Sequence, residues 1–130
     1  MSMSPEQKIY ATLKTAIEKS HAKGTFRLQR IETSTATGVP DVYFRHKNFA
    51  CWLETKTMSY EVSKEQYAWA SIEKMAGGRC WVVTTNKLGQ LLFLDFDSRM
   101  VGVSLKKYME ENSFLTLSFP GWATLYLTGE

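Results

Sequence analysis

Asp41, Glu54 and Lys56 are the residues of this chain whose types and spacing could do chemistry together. Asp41 follows Gly38-Val39-Pro40 and opens an apolar run, so a carboxylate stands at the start of a strand behind a turn stiffened by proline. In Trp52-Leu53-Glu54-Thr55-Lys56 the two-residue period of a strand puts Trp52, Glu54 and Lys56 on one face and Cys51, Leu53 and Thr55 on the other. If the strands carrying Asp41 and Glu54 are neighbours, two carboxylates and an ammonium converge inside an otherwise apolar stretch. Burying charge in this way is costly unless something pairs it. A hard divalent cation, Mg2+ or Mn2+, prefers oxygen ligands, often one or two carboxylates with water and a substrate phosphate. Such a centre would activate a water while the lysine adds positive charge at the scissile group, and phosphodiester hydrolysis is the chemistry this set suits. The same pattern also fits an edge strand with a solvated Glu54 and Lys56 and a turn residue at Asp41. These residues alone do not choose between the two.

The elements that must position them can be read from the periodicity. Ser4-Pro5-Glu6-Gln7 has a capping serine, a proline at the first helical position and a glutamine three residues after the cap. The apolar stripe of Ile9, Leu13, Ala16 and Ile17 continues a helix to about Ala22, where Gly24 stops it. Aromatic and branched runs over 25–33, 40–45 and 49–57 predict three strands. Ser63 caps a second helix over 62–76, closed by Gly77-Gly78. Cys80 to Thr84 reads as a strand buried on both faces, and Leu91 to Phe96 as another. Beyond it, Leu105 to Glu111 predicts a short helix and Phe114 to Leu127 two strands broken at Pro120-Gly121. A strand, a helix and a further strand in succession require a crossover, so the fold class is α/β with a central mixed sheet flanked by helices.

With 130 residues, 44% of them hydrophobic, the chain can bury a sizeable core, and a single domain is expected. Two cysteines, Cys51 and Cys80, both in strands expected to be buried, argue against a disulfide framework. No apolar run approaches the length of a membrane span and the N-terminus lacks a secretion pattern, so no membrane partner and an intracellular location are expected. The net charge of +3 permits a polyanionic partner without pointing to one. His21 and His46 stand far apart in sequence with no second ligand at metal spacing, which argues against zinc. Tyr67, Trp69 and Trp81 fit core positions better than base-stacking ones. Arg27, Arg30, Arg45 and Lys47 lie near the acidic residues in sequence and could line a nucleic-acid path.

Read in order over roughly Ser4 to Thr85, GVPDVYF, then WLETKT, then VSKEQYAWASIEKMAGGRCWVV resemble the PD-(D/E)xK nuclease superfamily, in particular its small phage-type VRR-NUC and Holliday-junction-resolvase-like members. The resemblance implies a restriction-endonuclease-like core over about 4–97, a C-terminal extension over 98–130, and a metal-dependent endonuclease acting on DNA. By that resemblance Asp41 and Glu54 are metal ligands, Lys56 is the catalytic lysine, and the Thr55 backbone carbonyl contributes to the metal. A further acid is implied on the first helix. Glu6 shares the angular range of the apolar stripe, although an acid in the first turn also simply suits the helix dipole. Glu32, at the end of the first strand, competes for the same role. Gln66 matches a family glutamine able to contact the lysine or a phosphate, and Lys64 beside it is a candidate phosphate contact. Gln66 fits a surface residue as well, and Lys64 fits a solvated lysine better than a phosphate contact. Resolvases of this family work as symmetric dimers, so a homodimer is a further expectation, and a non-cleaving nuclease-fold binder or phage counter-defence protein is the alternative function.

Overall fold

The computed structural model describes residues 3–31 and 37–127. Helix α1, Pro5–Ser20, begins as its sequence dictates: Ser4 Oγ accepts from Gln7 N at 3.2 Å, and Gln7 Oε1 accepts from Ser4 N at 2.7 Å. Strands β1 (Phe26–Arg30), β2 (Val42–His46) and β3 (Phe49–Thr55) form an antiparallel meander. His46 pairs with Phe49, so Lys47 and Asn48 alone turn the chain, with Lys47 at φ 55°. Helix α2, Lys64–Met75, then crosses over to β4 (Cys80–Thr85), which runs parallel to β3. β5 (Leu91–Asp95) and the short β6 (Leu117–Ser118) complete an antiparallel flank, giving the sheet order β1-β2-β3-β4-β5-β6. Helices α3 (Leu105–Glu111) and α4 (Phe119–Leu127) follow β5 and β6 respectively. The result is the expected α/β architecture, with one parallel pair making the sheet mixed.

Each sheet face carries its own apolar cluster. Ile9, Leu13 and Ile17 of α1 pack with Val42, Phe44, Cys51, Leu53 and Val83 on one face, joined by Trp122, Ala123 and Tyr126 of α4. Burying each large aliphatic side chain contributes roughly 1.5–3 kcal/mol, so the α1 stripe is a substantial share of this layer. On the other face Ala70 of α2 packs with Val62, Cys80, Val82, Leu94, Met100 and Leu105. Cys51 and Cys80 are free, buried thiols, and burial raises the proton affinity of both. No helix among the described residues is long and apolar enough to cross a membrane.

The C-terminal region departs from expectation. Where two strands were expected over Phe114 to Leu127, only Leu117–Ser118 is strand and Phe119–Leu127 is helix α4. The aromatic residues that suggested strands are spaced for a helix: Phe119, Trp122, Ala123 and Tyr126 share one face, and Pro120 sits in the first turn, where a missing N–H costs nothing. Ser118 Oγ accepts from Gly121 N at 3.3 Å at the helix start.

The same region also fixes the link between β3 and α2. Leu105 N donates to the Tyr60 carbonyl at 3.0 Å and Lys106 N to the Met58 carbonyl at 2.9 Å, while Glu61 and Val62 bridge to Ser104 and Val101. Asp97 holds the turn ahead of α3, accepting from the Arg99 guanidinium and from Tyr108 Oη at 2.7 Å. Helix α2 starts with a second reciprocal cap: Gln66 N donates to Ser63 Oγ at 3.1 Å and Ser63 N to Gln66 Oε1 at 3.0 Å. Replacing Ser63 by Ala removes one half of it. The expected cost is about 1 kcal/mol, read as a lower urea midpoint with an unchanged slope; an unchanged midpoint would show that the cap contributes nothing.

Candidate active site

The register of the meander brings the acidic residues together. Val42 pairs with Leu53 and points into the first core, so the residues one step outward, Asp41 and Glu54, fall side by side on the opposite face. The Asp41 carboxylate bends to the end of β3, where Oδ1 accepts from Thr55 N at 2.9 Å and Oδ2 accepts from the Thr55 hydroxyl. Its own carbonyl accepts from Ile31 N at 2.7 Å, which ties the turn to the end of β1. Asp41 is thereby held by backbone on both sides.

Glu54 is 8% exposed. Burial pushes its carboxyl up to about 8, and the neighbouring Asp41 charge pushes the same way; the Lys56 ammonium and the Asp41 backbone N–H oppose them, and Glu6 adds a small further rise. Around Glu54 and Lys56 both ends of the Gln66 amide are engaged. Its Nε2 donates to Glu54 Oε2 at 3.1 Å, and its Oε1 accepts from Lys56 Nζ at 3.0 Å while also closing the helix cap with Ser63 N. One side chain thus joins the acid, the lysine and the start of α2. The arrangement fixes the orientation of the amide, since only its oxygen can face the two donors and only its nitrogen the carboxylate.

The strand-parity expectation for Glu54 and Lys56 therefore matches the structure, and both meet Gln66. Lys64, the first residue of α2 and two residues before Gln66, is exposed and makes no hydrogen bond to this group. Glu6 is half-buried and near enough to act on Glu54 through its charge, yet no set of three or more His, Cys, Asp or Glu side chains gathers as a metal cluster among the described residues. Glu32 lies outside the described residues. The Thr55 hydroxyl is a partner the sequence did not single out; only a neighbouring strand end makes it one, and that neighbour is known only from the fold. Of the basic residues, Arg27 and Arg45 share the face of the acidic pair, whereas Arg30 points to the α1 side and lies over the Tyr10 ring at 5.8 Å. His21 and His46, far apart in sequence, meet across the opposite core with ring centroids 5.0 Å apart, beside Tyr126. Tyr67 and Trp69 pack on the second core and Trp81 on the first, as expected of core aromatics.

The donors fit a hard divalent cation in kind: two carboxylates, one of them with its proton affinity raised chiefly by burial and further by its neighbour's charge, at a place where added positive charge would relieve both.

No protein-family model matches the chain, and no curated protein sequence does. Among solved structures, the chain is similar to Hjc, a Holliday junction resolvase from the hyperthermophilic archaeon Archaeoglobus fulgidus, with a TM-score of 0.54 and 11% identity over 78% of this chain and 98% of that one. At that identity the likeness is one of fold: the six-stranded mixed sheet with its flanking helices is a nuclease-like, restriction-endonuclease-like core.

Proposed function

We propose that the chain is a divalent-metal-dependent endonuclease of PD-(D/E)xK type that hydrolyses DNA phosphodiester bonds, with branched DNA as the preferred form. The observation that carries this reading is the Gln66 amide of α2, which links Glu54 of β3 to Lys56 just after that strand, beside Asp41 at the entry to β2. The fold likeness to a Holliday junction resolvase supports the choice of branched DNA.

In this reading Asp41 and Glu54 hold Mg2+ or Mn2+, with the Thr55 carbonyl. The cation, when bound, lowers the proton affinity of a bound water and offsets negative charge growing on the phosphate. Lys56 has three N–H donors, of which one is engaged by Gln66, leaving two for the attacking water or a phosphate oxygen. Gln66 is a positioning residue: it aims Lys56 and keeps Glu54 from turning away. Lys64, exposed at the mouth of the helix, contacts a flanking phosphate. Paired cuts on a symmetric junction call for a symmetric homodimer.

Supercoiled plasmid and a synthetic four-way junction incubated with the chain and Mg2+ test this directly. Cutting is expected, faster on the junction, and it should vanish in chelator and in Asp41→Asn. Intact substrates with both Mg2+ and Mn2+ would overturn the hydrolytic reading in favour of a non-cleaving binder.

A further inference from the structure

Beside the acidic pair the sheet has an open face. Helix α2 covers β3 and β4 with Ala70 and Trp69 but leaves the same face of β1 and β2 in solvent, where Arg27, Gln29 and Arg45 are exposed and Tyr43 is half-buried. The register places Arg27 directly across from Arg45, Gln29 across from Tyr43 and Tyr43 across from Trp52. Tyr43 and Trp52 meet edge to face with centroids 5.2 Å apart, and Trp52 meets Trp69 in the same way at 5.3 Å. Two residues away from the Tyr43–Trp52 pair, toward the open end of the hairpin, lie Asp41, just before β2, and Glu54 of β3.

Two features of this face call for a ligand. Like charges directly opposite on neighbouring strands destabilise a sheet, yet Arg27 and Arg45 are paired so, and the ion pairs of the described residues use Lys74 and Arg99 and neither of these arginines. Arg45 turns one N–H to the Lys47 carbonyl at 3.1 Å, which pins its guanidinium while leaving the remaining donors outward. The arginines are also adjacent to a half-exposed tyrosine braced by a tryptophan ladder, and cationic groups next to aromatic faces suit a nucleic-acid strand whose bases are free to stack. A duplex can satisfy the arginines with its phosphates, but its paired bases offer nothing to Tyr43. Charge and ring together therefore select an unpaired strand.

We infer that the open face of β1 to β3, through Arg27, Arg45 and Tyr43, binds a single DNA strand and leads it toward Asp41 and Glu54. The direction of that path rests on the proposed function of the acidic pair; the binding itself does not. Among branched DNAs, those with a single-stranded arm or gap at the branch would be taken in preference to fully paired ones.

The test is anisotropy of a short fluorescein-labelled oligothymidylate, and of a duplex of the same length, with the full chain in chelator so that no cutting intervenes. The parent is expected to bind the single strand more tightly than the duplex. Arg27→Gln with Arg45→Gln should lower single-strand affinity about tenfold and reduce the salt slope by about 1.4, since each phosphate neutralised on a single strand contributes about 0.7. Tyr43→Ala should lower affinity about tenfold, and Tyr43→Phe, which keeps the ring, should restore it. Equal binding of strand and duplex by the parent, or variants that bind the strand as the parent does, would overturn the inference. Because the assay contains no metal, the two readings fail separately: cutting with unaltered variant binding removes this one, and strand binding without any cutting removes the hydrolytic one.

Discussion

Glu54→Gln should abolish metal-dependent cutting, by about a thousandfold or more, while making the metal-free chain more stable at alkaline pH. The two effects share one cause. In the folded chain the Glu54 carboxyl is pushed up to about 8, chiefly by burial and then by Asp41, against an ordinary value of 4.5. Between those two values the folded state keeps a proton that the unfolded state has released. The stabilisation from holding that proton is complete below about 4.5, is lost as pH rises, and is gone above about 8. At about 1.4 kcal/mol per tenfold change in proton affinity, the swing amounts to a few kcal/mol. Glutamine mimics the protonated acid at every pH and keeps an oxygen for Gln66 Nε2. Thermal melts of parent and variant in chelator should therefore nearly coincide at pH 5 and diverge toward pH 9, the variant higher by about 10 °C. Adding Mg2+ at pH 8 should raise the parent and leave the variant unmoved. A constant difference between the two melting curves across that range would show that Glu54 does not carry the buried charge.

The second large effect belongs to a residue with no chemistry of its own. Gly38 has φ +86°, and a Cβ built on it would run into the Glu65 carbonyl and come within 3.1 Å of Gln66 N. Those atoms are the backbone of the first turn of α2 and have no flexible end that could swing aside. Gly38→Ala must therefore displace either the turn that carries Pro40 and Asp41 or the helix start that carries Gln66, and both lie in the candidate site. A non-glycine residue at such a φ adds about 1–2 kcal/mol of strain. The expected result is a loss of about 2–4 kcal/mol in stability from strain and clash together and about a hundredfold in cutting rate, the usual consequence of a shift near 1 Å among reacting groups. Gly24→Ala is the matched control, because Gly24 has a similar φ of +85° and nothing within 4 Å of its Cβ. It should lose stability from strain alone and keep the rate. Equal rates in the two variants would mean that the contact with α2 does not position the site.

The meander and its acidic pair were legible because their signals are local. Strand parity fixed the faces of Glu54 and Lys56, and the tight turn at Lys47-Asn48 sets the register that brings Asp41 beside Glu54. The Ser63-x-x-Gln66 pattern marked a helix cap, and the cap is there. That the same amide also spans Glu54 and Lys56 could not be read, since it depends on where α2 lands after its crossover. Helix α4 differs from the two strands expected over Phe114 to Leu127 for the opposite reason. Phe119, Trp122 and Tyr126 are residue types favoured in strands, and type outweighed a spacing that was helical throughout. The meeting of His21 with His46 belongs to the same class as the Gln66 bridge: it is made by packing α1 on β2 and has no trace along the chain.

The crossover through α2 also predicts an order of assembly for the site. Leu53 meets Val42 across one tight turn, but meets Trp81 only after the whole of α2 has been passed. Closing the short loop loses less chain entropy than closing the long one, so the hairpin that carries both acids can pair before the parallel strand and its helix arrive. Until they do, no burial acts on Glu54, and its carboxyl is expected to keep its ordinary acidity. Its desolvation comes with the docking of α2, so the electrostatic cost of the site falls on the late, long-range step of folding and not on the collapse before it.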